Sequence, residues 1–295
     1  MSPAKQLLGL IEAPGCVLAP GAFDAWSARI IGQGGFACCY MTGFGVAASF
    51  AGVPDLGLLG AAEMADAAAR IVDAAGIPVI ADADTGYGNA IHVRGAVRAY
   101  RRAGVAAIQI EDQEWPKRCG HLDGKRVIAA DDMVGKIRAA KDSAGGEVLV
   151  IARTDARAVL GLDQALARAA AYRDAGADIL FVEAPQTRAE LDQVARALLP
   201  APLIANMVEG GKTPYLPVDE LGRIGFKIAI FPITALLAAT RAMQTTLKAL
   251  KRDGAGQVNA LASFGDLHAI SGLDQYLAFG RDYDGPARKT KGNAA

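Results

Sequence analysis

Short apolar runs alternate with longer amphipathic segments along most of the chain. Eight of these runs predict β-strands, at residues 16–19, 37–41, 78–81, 106–110, 148–152, 178–182, 203–205 and 226–230. Apolar residues recur every three or four positions, the period of an amphipathic helix, in the intervening segments 62–75, 91–103, 131–143 and 162–175. Strands that alternate with helices are typical of a parallel α/β fold. Eight such units predict a closed (β/α)₈ barrel, a TIM barrel.

Glycines mark the ends of several predicted helices. Gly76, Gly104 and Gly176 each follow an alanine that closes an amphipathic segment, and glycine tolerates the left-handed backbone that ends a helix. No linker or low-complexity stretch divides the chain, so we expect a single domain over residues 1–295. A helical pattern at 258–281 follows the eighth unit and predicts a C-terminal extension at about 256–285, outside the barrel itself.

Composition narrows the class of partner. The chain is 52% hydrophobic and 21% charged, and its 31 basic and 31 acidic residues leave no net charge to attract nucleic acid or an anionic membrane. Its four cysteines show neither zinc-ligand spacing nor the density of a disulfide scaffold. No targeting or membrane-spanning segment is evident. We therefore expect a cytoplasmic protein whose partner is a small molecule.

Polar residues gather where the predicted strands end. They are Thr42-Gly43, Asp82-Ala83-Asp84, Glu111-Asp112, Arg153-Thr154-Asp155, Glu183 and Asn206. A single aspartate after a strand is more often a turn former or a helix cap. Six clusters in phase with the strands favour an active site, because the carboxyl ends of parallel barrel strands face one mouth.

Three of these clusters suit a divalent cation. Asp82 and Asp84 are two residues apart, so their side chains leave the same face of an extended strand end, and Glu111 follows the next strand. Carboxylate oxygens suit Mg²⁺ or Mn²⁺, with some water ligands retained, better than Zn²⁺, which prefers nitrogen and sulfur. The pattern predicts a Mg²⁺ site.

A long insertion, the lid loop (residues 111–129), follows the fourth strand. Long loops over a barrel mouth commonly close over substrates. Cys119 lies in this loop beside Lys117, Arg118 and His121, a basic setting that favours thiolate and proton transfer. A flexible basic loop with an incidental cysteine explains the same composition equally well.

The order and spacing of five motifs resemble those of the isocitrate lyase and phosphoenolpyruvate mutase superfamily. The motifs are DADTGYGN at Asp82, IEDQEWPKRCGH at Ile110, ARTDA at Ala152, EAP at Glu183 and NMVEGGKTP at Asn206. The resemblance covers about residues 20–250. It implies a (β/α)₈ barrel whose C-terminal helix is exchanged between subunits of a homo-oligomer, a dimer or tetramer. Such an exchange would account for the predicted extension.

The resemblance also assigns ligands. It implies that Asp84 binds Mg²⁺ most closely and that Asp55, Asp82 and Glu111 bind it through water. The substrate-binding residues that it implies are Thr42, Gly43, Phe44, Gly120, Arg153, Glu183 and Asn206.

Cys119 indicates which branch of the superfamily is present. The lyases of the family carry a catalytic cysteine in the KRCGH motif, and the phosphonate-forming mutases lack it. The implied reaction cleaves the C2–C3 bond of a 2-hydroxy dicarboxylate, and Cys119 then protonates the resulting enolate. Lys117, Arg118 and His121 would stabilise the negative charge of that enolate. Tyr40 is a weaker candidate for handling the hydroxyl proton.

Departures from the family pattern narrow the substrate. Methylisocitrate lyases carry an arginine where this chain has Leu237, and a threonine where it has Val208. A third carboxylate would then be poorly paired, at a cost of about 1–3 kcal/mol. We expect a 2-alkylmalate such as 2,3-dimethylmalate, cleaved to pyruvate and a carboxylate. Methylisocitrate cleavage, oxaloacetate hydrolysis or decarboxylation, phosphonomutase activity and a non-catalytic metabolite-binding barrel remain alternatives.

Overall fold

A computed structural model describes residues 1–120, 122–254 and 261–283. In that part of the chain, parallel strands pair in sequence order and the last pairs with the first, which closes a barrel. The strands are β1 (Val17–Ala22), β2 (Cys39–Met41), β3 (Val79–Asp82), β4 (Ala107–Glu111), β5 (Leu149–Thr154), β6 (Ile179–Val182), β7 (Leu203–Asn206) and β8 (Ile228–Phe231). All eight predicted strands are present, and the predicted (β/α)₈ barrel is confirmed.

Helices follow the strands in the expected alternation. They are α1 (Pro3–Glu12), α2 (Ala25–Gln33), α3 (Gly43–Val46), α4 (Ala61–Ala75), α5 (Ala90–Ala103), α6 (Ala130–Ala144), α7 (Ala156–Leu160), α8 (Leu162–Asp174), α9 (Arg188–Leu198), α10 (Val218–Ile224), α11 (Thr234–Asp253), α12 (Phe264–Ser271) and α13 (Leu273–Tyr283). The four predicted amphipathic helices correspond to α4, α5, α6 and α8 within one residue at each end. Gly76 and Gly104 end α4 and α5 in the left-handed conformation, with φ of 65° and 84°.

The strands extend further than predicted at their polar ends. Asp82 pairs with Gln109, and Glu111 pairs with Arg153, so these residues belong to the strands rather than to the loops after them. Backbone pairing continues there because a staggered barrel keeps a neighbouring strand alongside each strand end. The functional side chains therefore start from rigid backbone.

Helix α1 was not predicted from the sequence. Its Leu7 and Ile11 are buried and belong to the same apolar cluster as Ala19 and Ile228 of the barrel strands. The cluster also contacts Val17, the first residue of β1. Helix α1 therefore covers the amino-terminal end of the barrel, the end away from the polar strand ends.

The chain divides into two compact units, residues 1–242 and 243–295. In the second unit the predicted single helix is interrupted, because α12 ends at Gly272, whose φ is 75°, and α13 begins at the next residue. Positions 258–260 of that prediction lie outside the described residues. Phe264, Tyr276 and Phe279 are exposed apolar side chains of this unit. Exchange of these helices between subunits stays a prediction, as does the single-domain organisation.

Among the described helices, none is both long enough and apolar enough to cross a bilayer.

Two glycines test how tightly the helices pack. A Cβ added at Gly32 in α2 would lie 2.0 Å from the carbonyl oxygen of Ala75 at the end of α4. Gly32→Ala must push these helices apart and should lower the free energy of unfolding by about 1–3 kcal/mol or more. A Cβ at Gly9 in α1 would meet no atom within 4 Å. Gly9→Ala should therefore raise the free energy of unfolding by about 0.5–1 kcal/mol, because alanine is the better helix former.

Urea unfolding followed by circular dichroism measures both variants. Equal stability of the two variants would contradict the packing of α2 on α4 described above.

Candidate active site

A cavity of about 210 Å³ lies at the carboxyl ends of the barrel strands. The residues predicted from the sequence that line it are Tyr40, Thr42, Phe44, Asp55, Asp82, Glu111, Lys117, Arg118, Cys119, Gly120, Arg153 and Asn206. Its remaining walls are the apolar side chains of Val208, Ile230, Pro232 and Ile233. The structure thus brings most of the predicted site into one cavity.

The other predicted residues fall into two groups. Asp84, Glu183 and Gly43 do not line the cavity, but Asp84 and Glu183 form ion pairs with the lining residues Lys117 and Arg153, and Gly43 lies close to Asp82. His121 lies outside the described residues, so its role stays a prediction.

Hydrogen bonds fix the turn after β3 that carries Asp84. Asp84 has a left-handed backbone, with φ of 48°, which is strained for a residue other than glycine. Its N–H donates to Asp82 Oδ1 at 3.0 Å, and its carbonyl oxygen accepts from the N–H of Glu111 at 2.9 Å. The buried Lys136 donates to the neighbouring carbonyl of Thr85 at 3.0 Å. These bonds keep the strained turn in place.

Lys117 connects the lid loop to the carboxylates. Its ammonium group forms ion pairs with Asp55 and with Asp84, the latter at 2.9 Å, and only 4% of its side chain is exposed. Burial alone would lower the pKa of Lys117, but the two carboxylates hold it well above its usual range. Lys117 is therefore a fixed positive charge inside the site.

Negative charge exceeds positive charge in this part of the barrel. The buried carboxylates of Asp55, Asp82, Asp84, Glu111, Asp155 and Glu183 face three buried cations, Lys117, Lys125 and Arg153. Burial raises the pKa of Asp84 to about 6, and the charges of Asp82 and Asp55 add to that effect. Burial also raises the pKa of Glu111. An additional cation would relieve this excess.

The carboxylates fit a hydrated cation better than a fully dehydrated one. Among the described residues, no three aspartate, glutamate, histidine or cysteine side chains converge closely enough to bind one ion directly. Mg²⁺ characteristically keeps several water ligands and needs only one or two carboxylates in direct contact. Hard oxygen donors around excess negative charge are therefore compatible with Mg²⁺.

Arg153 is fixed on several sides at the end of β5. Its Nε and Nη2 donate to Asp155 at 2.9 and 3.1 Å. Its Nε also lies 3.2 Å from Glu111, and its Nη1 lies 3.5 Å from Glu183. The guanidinium stacks over the Phe181 ring, 5.2 Å from the ring centroid. Arg153 therefore presents a preoriented charge to an anionic ligand in the cavity.

Two glycines let the backbone approach these charged groups. A Cβ at Gly43 would lie 2.6 Å from Asp82 Oδ2. A Cβ at Gly120 would lie 2.4 Å from Arg153 Nη2 and 2.8 Å from Glu183. Any larger residue at either position would displace a charged side chain, so both glycines are required by close approach.

The lid loop is closed at its base by backbone hydrogen bonds. The N–H of Glu114 donates to the carbonyl of Arg126 at 2.9 Å, and the N–H of Ile128 donates to the carbonyl of Asp112 at 2.9 Å. The half-buried Cys119 lies on the section between these bonds and lines the cavity. The Cys119 thiol therefore lies on a section of the loop whose two ends are joined by backbone hydrogen bonds.

Tyr40 and Asn206 complete the polar lining. Burial raises the pKa of Tyr40 well above its usual range, and the charge of Asp82 adds to the rise, so the phenol stays protonated. The side-chain amide of Asn206 donates to both oxygens of Glu183, at 3.2 and 3.3 Å. Both side chains therefore have defined hydrogen-bonding roles.

Comparison with known proteins places this geometry in a family. Residues 7–251 match the family described as phosphoenolpyruvate phosphomutase. The chain belongs to the phosphoenolpyruvate mutase and isocitrate lyase superfamily. The predicted superfamily and the predicted carbon–carbon lyase class are confirmed.

Two curated relatives of this superfamily are lyases. The chain is 45% identical over 286 residues to 2,3-dimethylmalate lyase of Eubacterium barkeri, an alignment that covers 96% of this chain and 99% of that protein. It is 46% identical over 252 residues to 2-methylisocitrate lyase of Aeropyrum pernix, covering 85% of this chain and 81% of that protein.

Two solved structures of the superfamily share the whole fold. Oxaloacetate acetylhydrolase in complex with 3,3-difluorooxalacetate superposes with a TM-score of 0.93 at 38% identity, covering 97% of this chain and 98% of that one. Phosphonopyruvate hydrolase in complex with oxalate and Mg²⁺ superposes with a TM-score of 0.86 at 28% identity, covering 96% and 99% of the two chains.

Gln113 was missed from the sequence, and its only signal was its place inside a quoted motif. It donates to Glu111 at 2.9 Å and to the carbonyl of Arg118 at 2.8 Å, which links the carboxylates to the lid loop. Asp112 was named among the polar strand ends but was given no role. It accepts from the Thr154 hydroxyl at 2.7 Å and from the N–H of Asp155 at 2.8 Å, which anchors the end of β5.

The raised pKa of Asp84 makes the stability of the cation-free chain depend on pH. The ordinary pKa of this carboxyl is 3.8, and in the folded chain it is about 6. The folded state binds the proton more tightly, so this contribution to stability is present at low pH and is lost as the pH rises from about 4 to about 6. Asp84→Asn, which is neutral throughout, should remove that part of the pH dependence of the melting temperature in EDTA.

Asp73→Asn, at an exposed position of α4, is the control and should follow the wild-type curve. Parallel curves for wild type and Asp84→Asn between pH 4 and pH 6 would show that the folded environment does not favour the protonated carboxyl.

Proposed function

We propose that the chain is a Mg²⁺-dependent lyase that cleaves a 2-alkylmalate, such as 2,3-dimethylmalate, to an α-keto acid such as pyruvate and a second carboxylate. The observation that carries the proposal is the cavity in which Cys119 faces the carboxylates, Arg153 and Tyr40. The 45% identity to 2,3-dimethylmalate lyase supports the substrate class.

The carboxylates at the strand ends would hold Mg²⁺. Asp84 is the direct ligand in this proposal, and Asp55, Asp82 and Glu111 bind through water, which agrees with the lack of three converging carboxylates among the described residues. When bound, Mg²⁺ lowers the pKa of the substrate hydroxyl and stabilises negative charge on its oxygen.

Arg153 binds the substrate 1-carboxylate in this proposal, together with Thr42, Gly43 and Phe44. Its guanidinium is already held by Asp155 and Glu183, so little orientation is lost when the substrate binds. Thr42 accepts a hydrogen bond from the N–H of Gly45 at 3.2 Å, which fixes the turn that carries these residues.

Tyr40 acts as a hydrogen-bond donor to the substrate 2-oxygen. Its raised pKa favours the protonated phenol, which is suited to donating a hydrogen bond. From the sequence, Tyr40 was only a weaker candidate for handling the hydroxyl proton.

Cys119 supplies the proton that completes the reaction. The substrate 2-hydroxyl loses its proton to solvent water. As its oxygen forms the C=O bond of the keto acid, the C2–C3 bond breaks, and the electron pair of that bond passes to C3 and forms a carboxylate enolate. The Cys119 thiol donates its proton to that carbon, while Lys117 and Arg118 stabilise the enolate charge. Solvent returns a proton to Cys119 after turnover. Lys117 is buried among carboxylates, whereas Arg118 is exposed, so the two charges reach the enolate from the buried side and from the solvent side of the cavity. His121 stays a predicted contributor.

The apolar wall of the cavity favours alkyl substituents. Val208, Ile230, Pro232 and Ile233 offer no donor for a further carboxylate. A methyl group on the substrate would instead lose its water contact against this wall. Leu237, on which the sequence argument against methylisocitrate partly rested, is 45% exposed and is not a lining residue of the cavity.

Oxaloacetate is the second candidate substrate. The TM-score of 0.93 to oxaloacetate acetylhydrolase favours it, and the same metal and arginine would bind it. It carries no alkyl group for the apolar wall, which makes it the poorer match to this cavity.

A substrate panel tests the function. With MgCl₂ the protein should release pyruvate from 2,3-dimethylmalate, and from 2-methylmalate about 10-fold more slowly, because one methyl group in an apolar pocket contributes about 1–3 kcal/mol. EDTA should stop both reactions, and restored MgCl₂ should recover them. Lactate dehydrogenase with NADH measures the pyruvate formed.

The other outcomes identify the alternatives. Preference for methylisocitrate or oxaloacetate would replace the proposed substrate, and turnover of phosphonopyruvate would indicate a mutase or hydrolase. Binding of these acids with no turnover of any of them would indicate a non-catalytic barrel.

Replacement of the proton donor tests the mechanism. Cys119→Ser puts a much weaker acid in place of the thiol and should lower kcat by about 10²–10⁴-fold with little change in KM. Cys16→Ser is the matched control, since Cys16 lies before β1 at the opposite end of the barrel and should tolerate the change. Wild-type kcat for Cys119→Ser would exclude Cys119 as the donor.

A further inference from the structure

Lys125, on the returning half of the lid loop, is buried beneath the loop. Its side chain is 1% exposed. Its ammonium group donates to the carbonyl oxygen of Gly120 and, at 2.8 Å, to Asp155 Oδ1. A buried lysine is costly unless it is paired, so these two acceptors fix where the group lies.

Both acceptors belong to the proposed machinery. Gly120 directly follows Cys119, and Asp155 holds the guanidinium of Arg153 through two hydrogen bonds, at 2.9 and 3.1 Å. The N–H of Asp155 is in turn bound by the buried Asp112 at 2.8 Å. One ammonium group thus joins the segment that carries the thiol to the pair that holds the substrate carboxylate.

The carboxylate between the two cations is held in its charged form. Burial opposes ionisation of Asp155, but Arg153 and Lys125 lower its pKa to about 2. Asp155 is therefore an anionic partner for both cations at neutral pH.

The other lysine ion pairs that involve the lid loop join it to different parts of the structure. Lys117 reaches Asp55 and Asp84, on the carboxylate side of the cavity. Lys212 reaches the exposed Asp123 at 2.6 Å, near the tip of the loop. Among the ion pairs of the described residues, Lys125 is the one of these three lysines that pairs with Asp155, the carboxylate that holds Arg153.

We propose that Lys125 is a positioning residue, which fixes the distance between the Cys119 thiol and the substrate whose carboxylate Arg153 binds. This inference rests on the proposed lyase function. Clearance at the contact is small, since a Cβ at Gly120 would lie only 2.4 Å from Arg153 Nη2. A shift of the loop by about 1 Å is enough to lower a rate about 100-fold.

Two substitutions of Lys125 separate positioning from folding. Lys125→Met keeps the length of the side chain but loses the ammonium group, and it should lower kcat about 100-fold with a much smaller change in KM. Lys125→Arg keeps the charge and several donors and should recover most of kcat. If Lys125→Met does not fold, Lys125→Gln, which keeps an N–H donor without the charge, takes its place in the same comparison.

A measurement without turnover tests the tie directly. The rate at which iodoacetamide alkylates Cys119, followed by mass spectrometry of its peptide in MgCl₂ and oxalate, reports how firmly the loop holds the thiol. The alkylation rate should rise about 10-fold in Lys125→Met, because a released loop exposes the thiol, and should stay at the wild-type value in Lys125→Arg. Lys212→Met is the matched control and should alter neither alkylation nor kcat, since exposed ion pairs contribute little.

Wild-type alkylation and wild-type kcat in Lys125→Met would overturn the inference. Equal losses of kcat in Lys125→Met and Lys212→Met would also overturn it, because they would indicate a general effect on the loop. If the wild-type protein turns over no member of the substrate panel, the proposed function fails, and the alkylation contrast still decides whether Lys125 holds the loop.

Discussion

Excess negative charge at the carboxyl end of the barrel is the constraint on which the rest of the site depends. Carboxylates this deeply buried persist only where cations and hydrogen-bond donors compensate them. Of the buried cations that form ion pairs with these carboxylates, Lys117 and Lys125 come from the lid loop, and Arg153 comes from a strand. The position of the loop and the stabilisation of the carboxylates therefore depend on the same ion pairs. A loop without these lysines would leave several of the buried carboxylates without a cationic partner.

The same charge balance suggests why a dication and a dicarboxylate belong together in this cavity. A dianionic substrate alone would add to an existing excess of negative charge, whereas a dication and a dianion entering together leave the balance unchanged. Arg153 then needs to orient the substrate carboxylate rather than to neutralise its charge. Its two hydrogen bonds to Asp155 hold the guanidinium in the fixed orientation that this requires. The strained turn after β3 serves the same end, since its hydrogen bonds hold the Asp84 backbone close to the strand ends.

Local patterns in the sequence predicted the parts of the fold that depend on local burial. The eight strands are short apolar runs, and α4, α5, α6 and α8 show helical periodicity, so neighbouring residues sufficed to find them. The ends of the strands were placed too early because their pairing depends on the stagger of the neighbouring strand, which a single segment does not reveal. Asp82, Asp84, Glu111 and Glu183 were found from their positions at the ends of predicted strands, whereas Asp55 came only from the family resemblance. The partners of Lys117 and the roles of Gln113, Lys125 and Asp155 were not, because each depends on how the loop returns over the barrel.

This division between strands and loop also bears on how one barrel serves related reactions. The strand ends supply what every enolate-forming reaction needs, namely carboxylates for a cation and a fixed guanidinium for an acid group. The wall formed by Val208 and Ile233 contacts whatever substituent the substrate carries, and it can change without disturbing those charges. The proposed proton donor, Cys119, lies on the lid loop, which is held by backbone hydrogen bonds at its base and by the ion pairs of Lys117 and Lys125. In the proposed reaction, the choice between adding a proton to the enolate carbon and transferring another group to it therefore depends on this loop rather than on the barrel strands.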